Sequence, residues 1–124
     1  MQPGQFTFAS GRDAAHKLLS GRQRPTAVFA SNDDMALGVL AAAHRLGLNV
    51  PSELSVVGFD DSPTAALVWP PLTTVRQPVF EMARAAVEML VAGHKADPSA
   101  VVDEDELHKV LAHELIVRDS TRAR

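Results

Sequence analysis

Two short apolar stretches, each running directly into acidic and amide residues, constrain this chain more than anything else in it. They are Thr26-Ala-Val-Phe-Ala-Ser-Asn-Asp-Asp34 and Leu54-Ser-Val-Val-Gly-Phe-Asp-Asp61. A β-rich run of five or six residues bounded by turn formers reads as a strand buried on both faces, the kind found in helix-covered parallel sheets. In an open α/β sheet the ligand crevice lies outside the carboxyl ends of the strands. Here those ends carry Asn32, Asp33 and Asp34 after the first stretch and Asp60 and Asp61 after the second.

The segments between and around these strands have helical periodicity. Ser10 to Ser20 reads as a helix opened by a Ser10/Asp13 capping box, with the i,i+4 pairs Ala14–Leu18 and Ala15–Leu19, and stopped by Gly21. Ser31 with Asp34 forms a second capping box, opening a helix to Leu46 whose stripe is Met35, Val39, Ala42 and Leu46; Gly47 ends it. Ser62-Pro63 is an N-cap followed by proline at the first helical position, giving a short turn through Leu67 that Trp69-Pro-Pro breaks. Thr73 to Arg76 is a short strand. Pro78 to Val91 is a helix with Val79, Ala83, Ala86 and Leu90 on one side and Gly93 at its end. His94 to Glu106 is a polar connection with the acidic run Asp103 to Glu106. Val110 to Val117 alternates as a partly exposed strand, and the tail from Arg118 is expected to fray. Alternating helices and strands imply an α/β fold with a parallel sheet flanked by helices and right-handed crossovers.

Composition excludes several functions. The chain of 124 residues has room for one domain and a modest core. Its net charge of −3 argues against a stand-alone nucleic-acid binder, which needs a basic face. The absence of cysteine rules out disulfides, thiolate catalysis and Cys-based zinc sites. No apolar run approaches the roughly 20 residues of a membrane span, and no signal peptide is visible. The histidines 16, 44, 94, 108 and 113 lack metal-ligand spacing and read as surface residues, so neither a metal nor another cofactor is expected. There is no Gly-rich phosphate loop and no Gly-x-Ser-x-Gly elbow.

Several motifs, in order, resemble one family. Phe29-Ala-Ser-Asn-Asp-Asp-Met-Ala-Leu-Gly38, Gly47-Leu-Asn-Val-Pro51, Val56-Val-Gly-Phe-Asp-Asp61 and Pro71-Leu-Thr-Thr-Val-Arg-Gln77 are similar to the effector-binding domain of LacI/GalR (lactose-repressor/galactose-repressor) transcription regulators. The resemblance runs from about Phe6 to Thr121. It implies a type I periplasmic-binding-protein-like fold, in which two α/β lobes joined by three strands enclose a ligand. The chain is then mostly the C-terminal lobe. Residues 1–76 and 110–121 would form that lobe, and 77–106 would cross to a first lobe that is missing together with the helix-turn-helix head. The apolar stripe of the helix from Pro78 would then repack within the chain or against another chain.

From the residues alone, Asp60 and Asp61 either cap the turn into the Ser62 helix or face the crevice, where a carboxylate can accept from two neighbouring hydroxyls. The resemblance assigns Asp60 to effector contact; Asp61 is left as a cap. It also singles out Asn32, whose amide both donates and accepts. Asp33 is open between crevice contact and structural support. Gln5-Phe-Thr-Phe-Ala-Ser-Gly11 resembles the family's Gly-Asp-Phe-x-x-x-Ser-Gly stretch, with Gln5 where an acid is usual. That implies Phe6 as a wall stacking on a sugar ring or base and Phe8 as packing. Gln77 and Val79 fall at the family's hinge and complete the implied ligand-binding set. The family places Ala65, Leu67, Val68 and Trp69 near a subunit interface, implying a homodimer.

The resemblance thus implies an effector-sensing fragment of a cytoplasmic bacterial regulator. Its ligand would be a carbohydrate or other small metabolite, it would reach DNA only through the missing head, and it would have no enzymatic activity. A fragment of an extracytoplasmic sugar-binding transport protein is the alternative, although the ending His113-Glu-Leu-Ile-Val-Arg-Asp-Ser-Thr121 is more similar to regulators. An Asp-based phosphoacceptor or enzyme fits less well. Its acid pairs follow the wrong strands for a receiver domain, and Lys109 precedes valine where a receiver has proline.

Overall fold

A computed structural model describes residues 1–95 and 108–123. The elements, in chain order, are α1 (Phe8–Leu19), β1 (Ala27–Phe29), α2 (Asp33–Arg45), β2 (Ser55–Asp60), a 3-10 turn (Pro63–Ala66), β3 (Thr73–Arg76), α3 (Val79–Lys95) and β4 (Glu114–Ile116). The chain divides into two compact units. The first is Met1–Arg76 with Glu114–Arg124, and the second is Gln77–His113.

In the first unit the sheet has the order β1-β2-β3-β4. β1, β2 and β3 run parallel, with Val28 beside Val56 and Gly58 beside Thr74; β4 is antiparallel to β3, with Arg76 opposite Glu114. The expected parallel α/β sheet is therefore present, with one antiparallel strand added at its edge.

Each element follows from local chemistry, with some shifts from the sequence expectation. α1 starts two residues earlier than expected because Thr7, not Ser10, is its N-cap. The Ser10 amide donates to Thr7 Oγ1 at 3.2 Å, and the Ser10 hydroxyl accepts from the Thr7 amide at 3.3 Å. The box is present, but with Ser10 in its second position and not its first. Its buried face is Gly11, Ala15 and Leu19. α2 is capped by Asn32 and not Ser31: Asn32 Oδ1 accepts from the Met35 amide at 2.9 Å. α2 buries Met35, Ala36, Val39, Leu40, Ala42 and Ala43, more than the single expected stripe, because α1 covers one side and the sheet the other. Gly47, at φ 70°, takes the left-handed position after its end.

The α1–α2 crossing brings backbone against backbone. A Cβ on Gly38 would overlap Phe8 O and the Arg12 amide nitrogen, and one on Gly11 would overlap the Met35 backbone. Beneath the helices the core is closed by Leu54, Val56 and Leu72, all essentially sealed from solvent. Burying each such side chain contributes about 1.5–3 kcal/mol.

From Arg118 to Thr121 the tail is held by hydrogen bonds, contrary to the expected fraying. Buried Ser120 donates its hydroxyl to Val56 O at 2.6 Å and accepts the Thr73 amide at 2.8 Å, stitching β2 to β3. The Val56 amide donates to Ser120 O at 2.8 Å. Thr73 Oγ1 adds contacts to Arg118 and Thr121. These partners satisfy backbone groups that the sheet's own ladder leaves open.

In the second unit α3 continues past Gly93, its expected end, to Lys95. Of its expected stripe, Val79 and Leu90 are exposed, as are Phe80 and Val87 beside them. Glu88 pairs with Arg84 at 3.5 Å and with Lys109 at 3.8 Å. The strand expected from Val110 forms only from Glu114. The acidic run Asp103 to Glu106 lies outside the described residues.

Candidate functional site

The carboxyl edge of the parallel strands gathers the polar residues. β1 leads into Asn32 and Asp33, β2 ends on Asp60, and β3 ends on Arg76, which is the register partner of Asp60. Phe6 joins this edge from the segment before α1: Asn32 Nδ2 donates to Phe6 O at 3.1 Å. One amide thus caps α2 with its oxygen and holds the Phe6 backbone with its nitrogen. It retains a second N–H and a second lone pair for other contacts.

Among the described residues, three other than glycine adopt positive φ, and all lie at this edge: Phe6 (56°), Asp60 (119°) and Asp61 (54°). Such conformations cost on the order of 1–3 kcal/mol each and persist where surrounding contacts enforce them; they cluster at functional sites. At this edge Phe6 is 64% exposed and Asp60 is exposed at the strand end.

The contacts that enforce this geometry come from both sides. Asp33, 1% exposed, accepts from Thr74 Oγ1 at 2.6 Å with one oxygen and from the Ser62 amide at 2.7 Å with the other. Of its two expected roles Asp33 therefore fills the structural one, as a strut under the turn. Gly58 makes room for it, since a Cβ there would overlap Asp33 Oδ1. The Asp61 amide donates to Thr74 Oγ1 at 3.3 Å. Asp61, expected only to cap, is instead the hub of an ion cluster. Its Oδ1 accepts from Arg118 Nη2 at 2.6 Å and its Oδ2 from Arg76 Nε at 2.7 Å. Arg118 also donates to Leu72 O at 2.8 Å. Burial pushes the Asp61 carboxyl up, but the Arg118 and Arg76 guanidiniums outweigh it and hold the group below the usual aspartate range.

The remaining sequence candidates divide between the two units. Gln77 and Val79 belong to the second unit, where the Val79 amide donates to Gln77 O at 2.9 Å. Ala65, expected near a subunit interface, is fully buried in the core of its own chain. Val68 is half-buried against the core, while Leu67 (83%) and Trp69 (88%) stand exposed. Phe8, expected to pack, is also partly exposed and lines a surface groove with Leu37, Ala41, His44 and Trp69. Sequence reasoning missed Arg76, Thr74 and Arg118, whose partners lie 15, 41 and 57 residues away and leave no local signal. Among the described residues no helix is long and apolar enough to cross a membrane, and no three His, Asp or Glu side chains converge as metal ligands would.

The sequence matches the periplasmic binding protein-like domain family over residues 2–121. The chain belongs to that family. It is 43% identical over 124 residues to the HTH-type transcriptional repressor CytR of Escherichia coli K12, an alignment covering 97% of this chain and 34% of the repressor. The chain thus spans about a third of the length of the curated relatives it matches. Among solved structures, a LacI-family regulatory protein from Chloroflexus aggregans superposes with a TM-score of 0.80 at 38% identity, covering 96% of this chain and 41% of that one. A complex of the transcriptional regulator CelR with cellobiose superposes with a TM-score of 0.78 at 37% identity, covering 94% and 34%. The family resemblance and fold class read from the sequence motifs therefore hold.

Proposed function

We propose that the first unit is one wall of an effector crevice, and that the chain is the small-molecule-sensing part of a LacI-type transcription regulator. The observation that carries this reading is the Phe6–Asn32 pair at the strand ends beside Asp60: an exposed ring, an amide and a carboxylate on one rigid edge. A ring to stack on a sugar face and polar groups to take its hydroxyls are what carbohydrate recognition needs. The repressor and the cellobiose-bound regulator among the relatives support the same reading over a transport protein.

The role is binding and not catalysis. Effector would favour one arrangement of the parent regulator over another, a population shift set by its differential affinity. DNA contact would rest with the part of such a regulator outside the aligned third, consistent with the net charge of −3. Such a regulator works in the cytoplasm. It would be a homodimer, with Leu67 and Trp69 as the exposed apolar anchors of its interface.

The test is amide chemical-shift mapping of the 15N-labelled chain against a panel of pentoses, hexoses, disaccharides and nucleosides at millimolar concentration. One wall of a crevice is expected to bind weakly, with shifts confined to Phe6, Asn32, Asp60 and their neighbours and abolished by D60A. If every compound leaves those amides unmoved, the reading fails.

A further inference from the structure

We infer that Arg76 is a positioning residue for the Asp60 turn, tying it to the two strand ends through which the chain passes between its units. The inference rests on the effector reading of Asp60 only for its meaning in binding; the tie itself is geometric. The first unit ends at Arg76 and resumes at Glu114, and these two residues are cross-strand partners in the β3–β4 ladder. The Arg76 guanidinium sits between two carboxylates. Its Nε donates to Asp61 Oδ2 at 2.7 Å and its Nη1 to Glu114 Oε2 at 3.0 Å. Asp60, Arg76 and Glu114 therefore form a row across three adjacent strands.

Arg76 connects Glu114 to the turn. The guanidinium is planar, so its two donor groups keep a fixed mutual geometry. If the turn moves Asp61, either that bond or the bond to Glu114 must give. Arg118, in the tail that follows β4, holds the other Asp61 oxygen. β4 is thus linked to the turn at both of its ends, through the Arg76 bond to Glu114 at its start and through Arg118 just after it. The left-handed backbone of Asp60 and Asp61 makes the turn an element that such contacts can tip, because it persists only while they enforce it. A ligand that stabilises the turn would then also stabilise the paired strand ends, and the coupling is reciprocal.

The experiment is amide hydrogen exchange by NMR on the full chain in wild type, E114Q, R76Q and R76K. The amides of Asp61 and Ser62 are hydrogen-bonded in the turn and report on it. E114Q is expected to speed their exchange about two- to fivefold, the range of a partly exposed ion pair, while the buried amides of α2 stay unchanged. R76Q should speed exchange in the turn and in β4 together. R76K should fail to restore the wild-type rates, because an ammonium keeps the charge and lacks the fork. Unchanged Asp61 and Ser62 exchange in E114Q overturns the inference, as does wild-type exchange in R76K. Glu114 is largely exposed, so E114Q still decides the question should R76Q fold poorly. Absence of sugar-induced shifts in wild type would sink the effector reading separately and leave this coupling as measured.

Discussion

Asp33 and Thr74 lie 41 residues apart and meet in a 2.6 Å hydrogen bond between two buried side chains, one opening α2 and one in β3. The other Asp33 oxygen takes the Ser62 amide, so one carboxylate joins a helix start, a strand and the turn after β2. In D33N the amide presents a donor to one of these two donors. A buried group left without its partner costs about 1–3 kcal/mol. D33N is expected to lower unfolding stability by about 2–3 kcal/mol. T74V should cost about 2 kcal/mol, since it leaves one carboxylate oxygen unmet. Urea unfolding midpoints check both. A loss below about 0.5 kcal/mol in D33N would show that the strut relaxes freely.

G38A is a test of the helix crossing. In an exposed helix the change gains up to about 1 kcal/mol of propensity. Here the new methyl meets the α1 backbone, which cannot rotate away as a side chain can. Overpacking of this kind typically costs about 1–3 kcal/mol. G38A should therefore unfold at lower temperature than wild type while its circular dichroism still shows native helix. A rise in melting temperature would mean that α1 shifts without cost.

The Asp61 cluster makes stability depend on acid. The folded carboxyl lies below its ordinary value because of Arg118 and Arg76, despite partial burial. A lowered folded value means that the contribution is complete above the unfolded value of about 4, and is lost as pH falls through the folded value below it. Stability should thus be flat for this group between pH 7 and 5 and decline below about pH 4. Glu53, lowered chiefly by the Asn49 backbone amide, adds to the same decline. In D61N the loss should be shallower in that window, which urea midpoints at pH 7, 5, 4 and 3 will reveal. Parallel curves for the two proteins would argue that the arginines do not discriminate the charged form.

Much of this architecture is legible in the chain because it is written locally. Strands β1 and β2 announce themselves as apolar runs, and the motifs around Asn32 and Asp60 place those residues at strand ends. Helix starts were displaced by one or two residues because Thr7, Ser10, Ser31 and Asn32 all have capping chemistry, and only tertiary contacts choose among them. The Asp61 cluster was hidden for a different reason. It joins three segments far apart in sequence, and an Asp-Asp pair after a strand looks the same whether its second member caps a turn or binds two arginines. The tail reads as frayed because its composition is polar, yet Ser120 is buried and makes hydrogen bonds that composition does not encode.

Leu67 and Trp69 offer the last test. Both stand largely exposed, and Trp69 lines the groove along α2; exposed apolar surface of this kind is costly in water unless covered. A buried tryptophan anchor often contributes about 2 kcal/mol or more to an interface, and a leucine beside it less. If they anchor a homodimer, W69S should raise the dissociation constant at least about tenfold, and L67S should act in the same direction. The α3 stripe is the competing surface, since Val87 and Leu90 are exposed too. Sedimentation equilibrium of wild type, W69S and L90S over a range of concentrations separates them. Weakening by W69S alone places the contact on the Trp69 face; weakening by L90S alone moves it to α3 and removes Leu67 and Trp69 from the interface.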